Sequence, residues 1–392
     1  MRDDHADGLS CPFAAHRLPD GSLQSSCHAS WWRSCMTYST RTRWHGVAGG
    51  IFDSPGNALV SLLLLGVLWY LASGLWDWAV VRATWEAATA EECARNGGTC
   101  WAFLRDRWRL ILFGPYPYGE QWRPAFALML FLGLIIATLR PAFWENGHAR
   151  RSLMVAWALG LPLMACLMIG GTMGLAPVPM RLWGGLPLTV MLAAVGVSLA
   201  FVLAVALALA RVCTMPVIRW LATAYVEFFR GVPLIALLFL VAILFPYVVP
   251  PGWNMDTLLR AQLAFALFFA AYMSEAIRGG LQSIPQGQYD AADALGLTWW
   301  QSRRRIILPQ ALRKVIPSLV NIFIAAFKDT SLVVVISMLD LLGAANASTA
   351  EAKWWGLYIE PYLFIALIYL VFCLAMSAYS RSLERRLGVG ER

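Results

Sequence analysis

Acidic and basic side chains lie in or at the ends of long apolar stretches of this sequence, where their chemistry is least expected. Glu227 and Arg230 are three residues apart, and Glu275 and Arg278 repeat that spacing. Residues three apart share a helix face and can form an ion pair. A charge within hydrocarbon costs at least ~2.5 kcal/mol, so it is usually paired or faces a polar cavity. We therefore predict two structural ion pairs at helix ends.

A second set of polar residues could contact a small charged solute. Lys328 and Asp329 are adjacent and project in different directions, so Lys328 could approach a carboxylate and Asp329 an amino group. Pairing with other protein groups is the alternative for both. Together with Tyr272 and Glu275, they are our candidate pathway or substrate contacts. All histidines fall outside the apolar stretches, which argues against a histidine proton relay but leaves Asp or Glu carriers open.

The sequence lacks the common signatures of enzymes and metal centres. It contains no GxxxxGK[ST] phosphate loop, no HExxH zinc motif and no GxSxG nucleophile elbow. We therefore predict no catalytic residues, no metal site and no ATP hydrolysis by this chain. No CxxC pair occurs either, and a disulfide between Cys93 and Cys100 stays open because sequence does not show whether the two side chains face each other.

Composition indicates that lipid surrounds most of the chain. Of the 392 residues, 59% are hydrophobic and 14% are charged, with a mean hydropathy of +0.59. Soluble domains carry roughly 25% charged residues. A bilayer core needs ~20 apolar residues per helix, and eight stretches approach or exceed that length, at 57–79, 124–140, 152–174, 186–210, 232–250, 259–277, 315–337 and 358–379.

Basic residues predict the orientation of these spans. With the N-terminus inside, the cytoplasmic segments hold 21 of the 31 Lys and Arg residues and the outer segments nine. Lys and Arg are retained on the cytoplasmic side, so we expect both termini there and a periplasmic loop at 80–123. Within it, a short helix from Leu104 to Phe113 could form a docking surface or pack at the membrane interface. The net charge of +8 therefore reflects topology and predicts no nucleic-acid binding.

The loop at 285–309 is too long to be a simple connection. Pro285 and Gly287 punctuate its entry, and the alanine-rich run that follows favours a short helix. Gly296 can close that helix in the left-handed conformation. Thr298 and Gln301 have capping-box spacing, so a second helix should begin at Trp299, and Pro309 should end it near the membrane. From these features alone, the loop could dock into a partner's groove or rest on lipid headgroups.

The loop resembles the EAA motif of ABC importer permeases, which reads Glu-Ala-Ala, three residues, Gly, nine residues, then Ile-x-Leu-Pro. Here Asp290, Ala291 and Ala292 stand at the Glu-Ala-Ala positions, and Gly296 follows after three residues. After nine more residues come Ile306, Ile307, Leu308 and Pro309. Segments at 227–234, 271–282 and 327–332 are similar to further signatures of polar amino-acid permeases. The three preceding spans resemble the longer permease of general L-amino-acid transporters.

This resemblance implies an architecture and a set of partners. We expect an all-α integral membrane protein of about eight transmembrane helices. It would comprise a cytoplasmic, poorly ordered tail at 1–56, three additional spans at 57–180, a five-helix type I permease core at 181–385 and a short tail at 386–392. Translation could instead begin near Met36. The coupling residues would be Asp290, Ala291, Ala292, Gly296, Ile306, Leu308 and Pro309.

The resemblance also implies that this chain binds no cofactor, because ATP and Mg²⁺ belong to a separate ATP-binding subunit. A second, homologous permease, in a heterodimer, and a periplasmic amino-acid-binding protein would complete the transporter in the bacterial inner membrane. Two alternatives compete with this interpretation. An ion-driven secondary carrier should show related halves, and no convincing repeat is seen. A membrane-embedded enzyme should show a cluster of catalytic residues, and none is evident.

Overall fold

The computed structural model describes residues 55–171, 174–250 and 255–387. Their helices fall into two compact units that divide between Trp76 and Asp77. The predicted tail at 1–56 lies almost wholly outside the described residues, as do the alternative start at Met36 and most of the tail at 386–392.

Helix α1, Pro55–Trp76, belongs to the first unit. None of its residues is buried, although its sequence is apolar on every side. A helix that is hydrophobic all round suits a lipid environment. The chain then makes a π-helical turn at Asp77–Val81.

The second unit is built of helices joined by short non-helical segments, and its described residues contain no extended strand. Its α-helices, in chain order, are α2 Ala90–Asn96, α3 Trp101–Phe113, α4 Trp122–Leu139, α5 Ala142–Glu145, α6 Gly147–Ile169, α7 Gly185–Arg211, α8 Pro216–Gly231, α9 Leu234–Phe239, α10 Phe245–Val248, α11 Thr257–Gln282, α12 Gln286–Ala294, α13 Trp299–Ser302, α14 Leu308–Asp329, α15 Leu341–Ser348 and α16 Ile359–Leu387.

Seven helices of the described chain are long and apolar enough to cross a membrane, and a bent pair of helices raises the number to eight. The predicted all-α membrane architecture of about eight spans is therefore confirmed. The second helix of the bent pair, Leu234–Val248, corresponds to the span predicted at 232–250, whereas the first, Pro216–Gly231, lies before that span.

Helix α8 precedes this span, and the sequence indicates it only at its end, where Glu227 and Arg230 are expected to share a helix face. It meets the following helical segment, Leu234–Val248, at an angle of 102°. The bend has a local cause, since Pro233 disfavours helical backbone at the preceding residue. Val232 is accordingly extended, with φ −95° and ψ 133°. The amphipathic period of α8 was the available signal, because the polar residues Arg219, Thr223 and Glu227 recur every four residues.

The expectation that Pro309 would end the second loop helix is wrong. Helical structure runs without interruption from Trp299 to Ile336. A π-helical turn at Arg303–Ile307 precedes the proline. In a regular α-helix the ring of Pro309 would clash with the carbonyl four residues earlier, and a π-turn changes the backbone at that point. The loop helix and the next span therefore form one continuous helical segment.

Helices α7 and α11 form the centre of the second unit. Ala200, Ala204 and Ala208 repeat every four residues on α7 and are fully buried, and such small side chains allow helices to approach closely. The two helices run in the same direction. Near their first ends Gln262 Nε2 donates to the Met191 carbonyl at 3.2 Å, and at their other ends Arg211 reaches Glu275.

Helix α14 packs beside the last turn of α11. The closest approach is at Gly280, where an added Cβ would lie 2.5 Å from Val315 Cγ1 and 2.9 Å from the Ala311 carbonyl oxygen. Only glycine therefore permits this contact. It fixes the end of α11 against the beginning of α14, and the loop at 285–309 lies between these two points in sequence.

Residues 77–121 form a small body that we call the disulfide unit. Cys93 and Cys100 are joined by a disulfide bond, which answers a question that the sequence left open. Helix α3 starts at Trp101, three residues before the predicted Leu104. The extra turn includes Phe103, which is fully buried and packs edge-to-face on Trp354 with ring centroids 5.7 Å apart.

The disulfide unit is fastened to the segment that begins α16. The Cys100 amide donates to Glu360 Oε1 at 2.9 Å, and Trp354 Nε1 donates to Asp106 Oδ2 at 2.7 Å. Burial alone would raise the pKa of Asp106, but this hydrogen bond and the charges of Lys353 and Arg107 bring it below its usual value. These contacts attach the unit to the rest of the chain, and its predicted roles as a docking surface or in packing at the membrane interface stay predictions.

Candidate coupling site

The first loop helix, α12, has defined boundaries. Pro285 precedes it in extended backbone with φ −57° and ψ 140°. Within the helix, Gln286 Nε2 donates to Asp290 Oδ1 one turn later at 3.0 Å. The predicted break between two loop helices is present, because a second helix begins at Trp299, but this helix is not short and continues into the next span.

Gly296 closes α12 as its sequence position suggested. Its φ is +69°, in the left-handed region that side chains with a Cβ rarely adopt. Its amide donates to the Asp293 carbonyl at 2.9 Å, and the Leu297 amide donates to the Ala292 carbonyl at 3.2 Å. These are the two bonds of a Schellman motif. An added Cβ at Gly296 would meet no atom of the chain within 4 Å, so backbone conformation alone explains the glycine within this chain.

The predicted capping box starts α13. Thr298 Oγ1 accepts from the Gln301 amide at 3.3 Å, and Gln301 Oε1 accepts from the Thr298 amide at 2.9 Å. Both bonds satisfy amides that have no partner within the helix. The turn between the two loop helices is therefore held by local hydrogen bonds on each side.

An aromatic and cationic contact joins the two loop helices. The Arg303 guanidinium lies 4.8 Å from the ring centroid of Tyr289 and 5.1 Å from that of Trp299, distances at which cation–π attraction operates. Tyr289 also donates its hydroxyl to the Leu281 carbonyl at 2.9 Å. Arg303 thus has a packing role that the sequence did not suggest, whereas Arg304 and Arg305 are exposed.

Two further bonds reach α14, one from the loop and one from the residue that follows α11. Gln310 Nε2 donates to Gln288 Oε1 at 3.1 Å, and Lys314 Nζ donates to the Ser283 carbonyl at 2.8 Å. The loop is consequently attached to both α11, through Tyr289, and α14. A displacement of the loop would therefore act on two transmembrane helices.

The seven predicted coupling residues divide between two sides of the loop. Ala292, Ile306 and Leu308 face the bundle, Ala292 being buried and the other two partly so. The exposed members are Asp290, Ala291, Gly296 and Pro309. The structure thus brings all seven into one loop without giving them one environment.

Sequence reasoning missed several residues of this site. Ile307, the variable position of the motif, is fully buried. Leu295 and Trp300 are apolar yet 76% and 54% exposed, and they stand on either side of Gly296 in the sequence. The Trp300 ring stacks on Trp299 with centroids 6.4 Å apart, and the rest of this apolar surface is exposed. The sequence signal was a pair of large apolar residues beside a polar turn, since apolar side chains that form an exposed patch mark interaction sites.

The candidate pathway residues are not close together. Glu275 lies five residues before Gly280, and Lys328 lies 17 residues after Ala311, which contacts Gly280. At ~1.5 Å per helical residue, Glu275 and Lys328 are separated by about 18 Å along the helix axes. Tyr272 belongs with Glu275, since both lie on α11. Lys328 and Asp329 form no ion pair with a described residue.

Five charged residues meet beside the loop in what we call the charged cluster: Arg211, Glu227, Arg230, Glu275 and Arg278. Both predicted ion pairs are present, between Glu275 and Arg278 and, at 4.0 Å, between Glu227 and Arg230. Arg211 joins them from α7, with 2.5 Å between its Nη1 and Glu275 Oε2. The sequence did not reveal this link, because Arg211 is 64 residues from its partner.

A bundle of apolar helices with a rigid loop of this motif at one end defines the permease subunit of an ABC transporter. Residues 196–389 match the family described as the binding-protein-dependent transport system inner membrane component. The chain belongs to the family of amino-acid ABC transporter permeases. It is therefore a multi-pass membrane protein and a transport subunit rather than an enzyme.

Two relatives support this membership over most of the chain. The inner membrane amino-acid ABC transporter permease protein YhdY of Escherichia coli K12 is 41% identical over 345 residues, which are 88% of this chain and 93% of the relative. The glutamate/glutamine/aspartate/asparagine transport system permease protein BztC of Rhodobacter capsulatus is 35% identical, covering 86% and 92%. A crystal structure of an amino acid ABC transporter with histidines aligns at 33% identity and a TM-score of 0.46, covering 52% of this chain and 92% of that one.

Proposed function

We propose that this chain forms, with a second homologous permease, the transmembrane pathway through which a broad range of L-amino acids enters the cell. Membership of the amino-acid ABC permease family supports this function, and it does not favour an ion-driven carrier. A separate ATP-binding subunit would supply the energy and bind ATP and Mg²⁺, and this chain would bind no cofactor. A periplasmic binding protein would deliver the solute, and the second permease would make a heterodimer.

The exposed surface of the coupling loop is the observation that carries the proposal. Leu295 and Trp300 project from a loop whose backbone is held by a Schellman motif, a capping box and the Arg303 contact. Ala291 is exposed on the same helix and leaves room for close approach. A short helix that presents apolar side chains from a rigid frame fits a hydrophobic groove of a partner.

The proposed topology places this loop and both termini in the cytoplasm. Lys and Arg are concentrated in the segments on the side of the loop, as the positive-inside rule requires. The disulfide unit would then face the periplasm, an oxidising compartment where disulfides persist. A C-terminal GFP fusion tests this arrangement, because GFP becomes fluorescent only when the C-terminus is cytoplasmic.

Direct solute contact is proposed for Lys328 and Asp329 in preference to the other two candidates. Both carboxylate oxygens of Glu275 are already bound, by Arg211 and Arg278, so Glu275 is less available to an amino group. Tyr272 donates its hydroxyl to the Arg230 carbonyl at 3.5 Å and stays a candidate pathway residue.

Replacement of one exposed side chain tests the proposed function. Leu295→Glu should leave the fold of this chain intact, because Leu295 is 76% exposed, but should prevent docking of the ATP-binding subunit. We expect loss of co-purification with that subunit and loss of ATP-driven amino-acid uptake in proteoliposomes. Trp355→Glu is the matched control. Trp355 is also exposed, at 65%, but it lies away from the loop, next to Trp354, which packs on the disulfide unit.

Two results would contradict the proposal. Uptake by the wild-type protein in the absence of an ATP-binding subunit would indicate an ion-driven carrier. Retention of co-purification and uptake by Leu295→Glu would show that this surface does not dock, and would favour the headgroup-resting alternative.

A further inference from the structure

The charged cluster joins three helices at the coupling end of the bundle. Arg211 ends α7, Glu227 and Arg230 lie in the last turns of α8, and Glu275 and Arg278 lie near the end of α11. Three arginines and two glutamates leave a formal charge of +1. The Arg211 side chain is only 9% exposed, so it requires a carboxylate partner in every conformation that keeps it buried.

The cluster offers two alternative pairings between α11 and its neighbours. Arg211 lies 2.5 Å from Glu275 and 3.7 Å from Glu227. Arg230 lies 3.9 Å from Glu275 and 4.0 Å from Glu227. Each of these two arginines is thus within ion-pair distance of both glutamates. A relative helix shift of about 1 Å could exchange the partners, and shifts of that size are common in switching proteins.

Glu275 is mechanically connected to the coupling loop. Arg278 is paired with Glu275 and donates through Nη1 to Gln282 Oε1 at 2.8 Å. Gln282 lines a cavity of about 360 Å³ together with loop residues Gln286, Tyr289 and Arg303. Helix α11 is continuous to Gln282, so a displacement of the loop is transmitted to Glu275.

We propose that Arg211 and Arg230 are positioning residues for the coupling step and compete for Glu275. In the arrangement described here, Arg211 is paired with Glu275. When the ATP-binding subunits move the loop, Glu275 pairs with Arg230 instead, and Glu227 becomes the partner of Arg211. This inference rests on the proposed function. It adds to it the element that converts loop movement into a rearrangement of α7, α8 and α11.

A simple structural ion pair would not need this arrangement. A single pair breaks when its helices shift, and it leaves one buried charge without a partner, which is strongly unfavourable. With two arginines and two glutamates, both arginines stay paired before and after the exchange. Two arrangements of similar energy are the physical requirement for a two-state element.

The test uses the complete transporter in lipid nanodiscs, with both permeases, the ATP-binding subunit and the binding protein. Arg211→Gln removes the partner that holds Glu275 at rest, so ATP hydrolysis without binding protein should rise at least about fivefold. Arg230→Gln removes the partner of the second arrangement, so hydrolysis stimulated by binding protein and uptake should fall by a similar factor. A merely structural role would lower both activities in both variants.

Further variants keep the inference falsifiable if Arg211→Gln does not assemble. Glu227 is 62% exposed, so Glu227→Gln should fold, and it should act in the same direction as Arg230→Gln because it deprives Arg211 of its second partner. Arg219→Gln, an exposed arginine of α8 outside the cluster, should resemble wild type.

Changes of the same sign in Arg211→Gln and Arg230→Gln would overturn the inference, as would wild-type activities in Arg230→Gln and Glu227→Gln. Failure of the proposed function would give a different result, because wild-type uptake would then proceed without the ATP-binding subunit.

Discussion

The coupling loop and the disulfide unit are both compact, but they are held by contacts of different range. In the loop, Tyr289 bonds to a carbonyl eight residues away, and Gln310 bonds to a glutamine 22 residues away. In the disulfide unit, the Cys100 amide reaches Glu360 across 260 residues, and Trp354 reaches Asp106 across 248. Both regions contain buried aromatic or apolar anchors, so burial does not distinguish them.

This difference has a mechanical consequence. A region held by local contacts can change position as one body, because its bonds move with it. A region held by distant contacts is fixed to the helices that provide its partners and can move only with them. The coupling loop can therefore move together with the adjoining ends of α11 and α14, whereas the disulfide unit fastens α3 to the beginning of α16.

The largest expected effect concerns the disulfide unit. The double replacement Cys93→Ser and Cys100→Ser removes a bond that closes a short loop, with a cost of about 2–3 kcal/mol. Amide hydrogen exchange in α2 and α3 should accelerate by more than about tenfold, while exchange in the coupling loop should not change. Cys166→Ser, at an exposed free cysteine, is the control. Faster amide exchange in the coupling loop as well as in the disulfide unit would show that the two regions are not independent.

An intermediate effect is expected for a local change in the coupling loop. Gly296→Val places a β-branched residue at φ +69°, a strain of about 1–3 kcal/mol, and should open the Schellman closure of α12. Gly296→Asn is the matched control, because asparagine tolerates left-handed backbone.

Binding of the ATP-binding subunit, measured by titration, should therefore weaken about tenfold or more in Gly296→Val relative to Gly296→Asn. Hydrogen exchange in α12 should rise in the valine variant and stay unchanged in the disulfide unit. Equal affinities of the two variants would contradict a role for the backbone at this turn.

The smallest effect is expected for one surface ion pair of the disulfide unit. Glu351 binds Arg107, and this hydrogen bond lowers the pKa of Glu351. The side chain of Glu351 is 56% exposed, so Glu351→Gln should change exchange in α3 by less than about fivefold. Glu91→Gln, on the exposed surface of α2, is the matched control.

The same pair predicts the direction of a pH effect. A carboxylate with a lowered pKa in the folded state contributes stability above its ordinary pKa, and the contribution is lost as the pH falls through the lowered value. Exchange of the disulfide unit, corrected for the intrinsic rate, should therefore increase on acidification, and less so in Glu351→Gln. An identical pH response of the two proteins would show that Asp106 and other groups account for the effect.

The contrast between the two regions also explains which features could be read from the sequence. The capping box at Thr298 and the left-handed Gly296 depend on neighbours within a few residues, and both predictions are confirmed. The pairs Glu227–Arg230 and Glu275–Arg278 are likewise confirmed because helical spacing alone brings them together. The functional roles assigned to the loop and pathway residues stay predictions.

The sequence by itself determined the apolar spans, the family motif and the local turns, because their physical causes lie within one helix or one loop. Only the tertiary structure decided which distant groups meet. Periodicity identifies a buried face but not the helix that covers it, so Arg211 could not be assigned to Glu275, nor Glu360 to the Cys100 amide. The break after α8 has a local cause at Pro233, but its angle of 102°, like the uninterrupted helix through Pro309, depends on how the neighbouring segments pack around the proline.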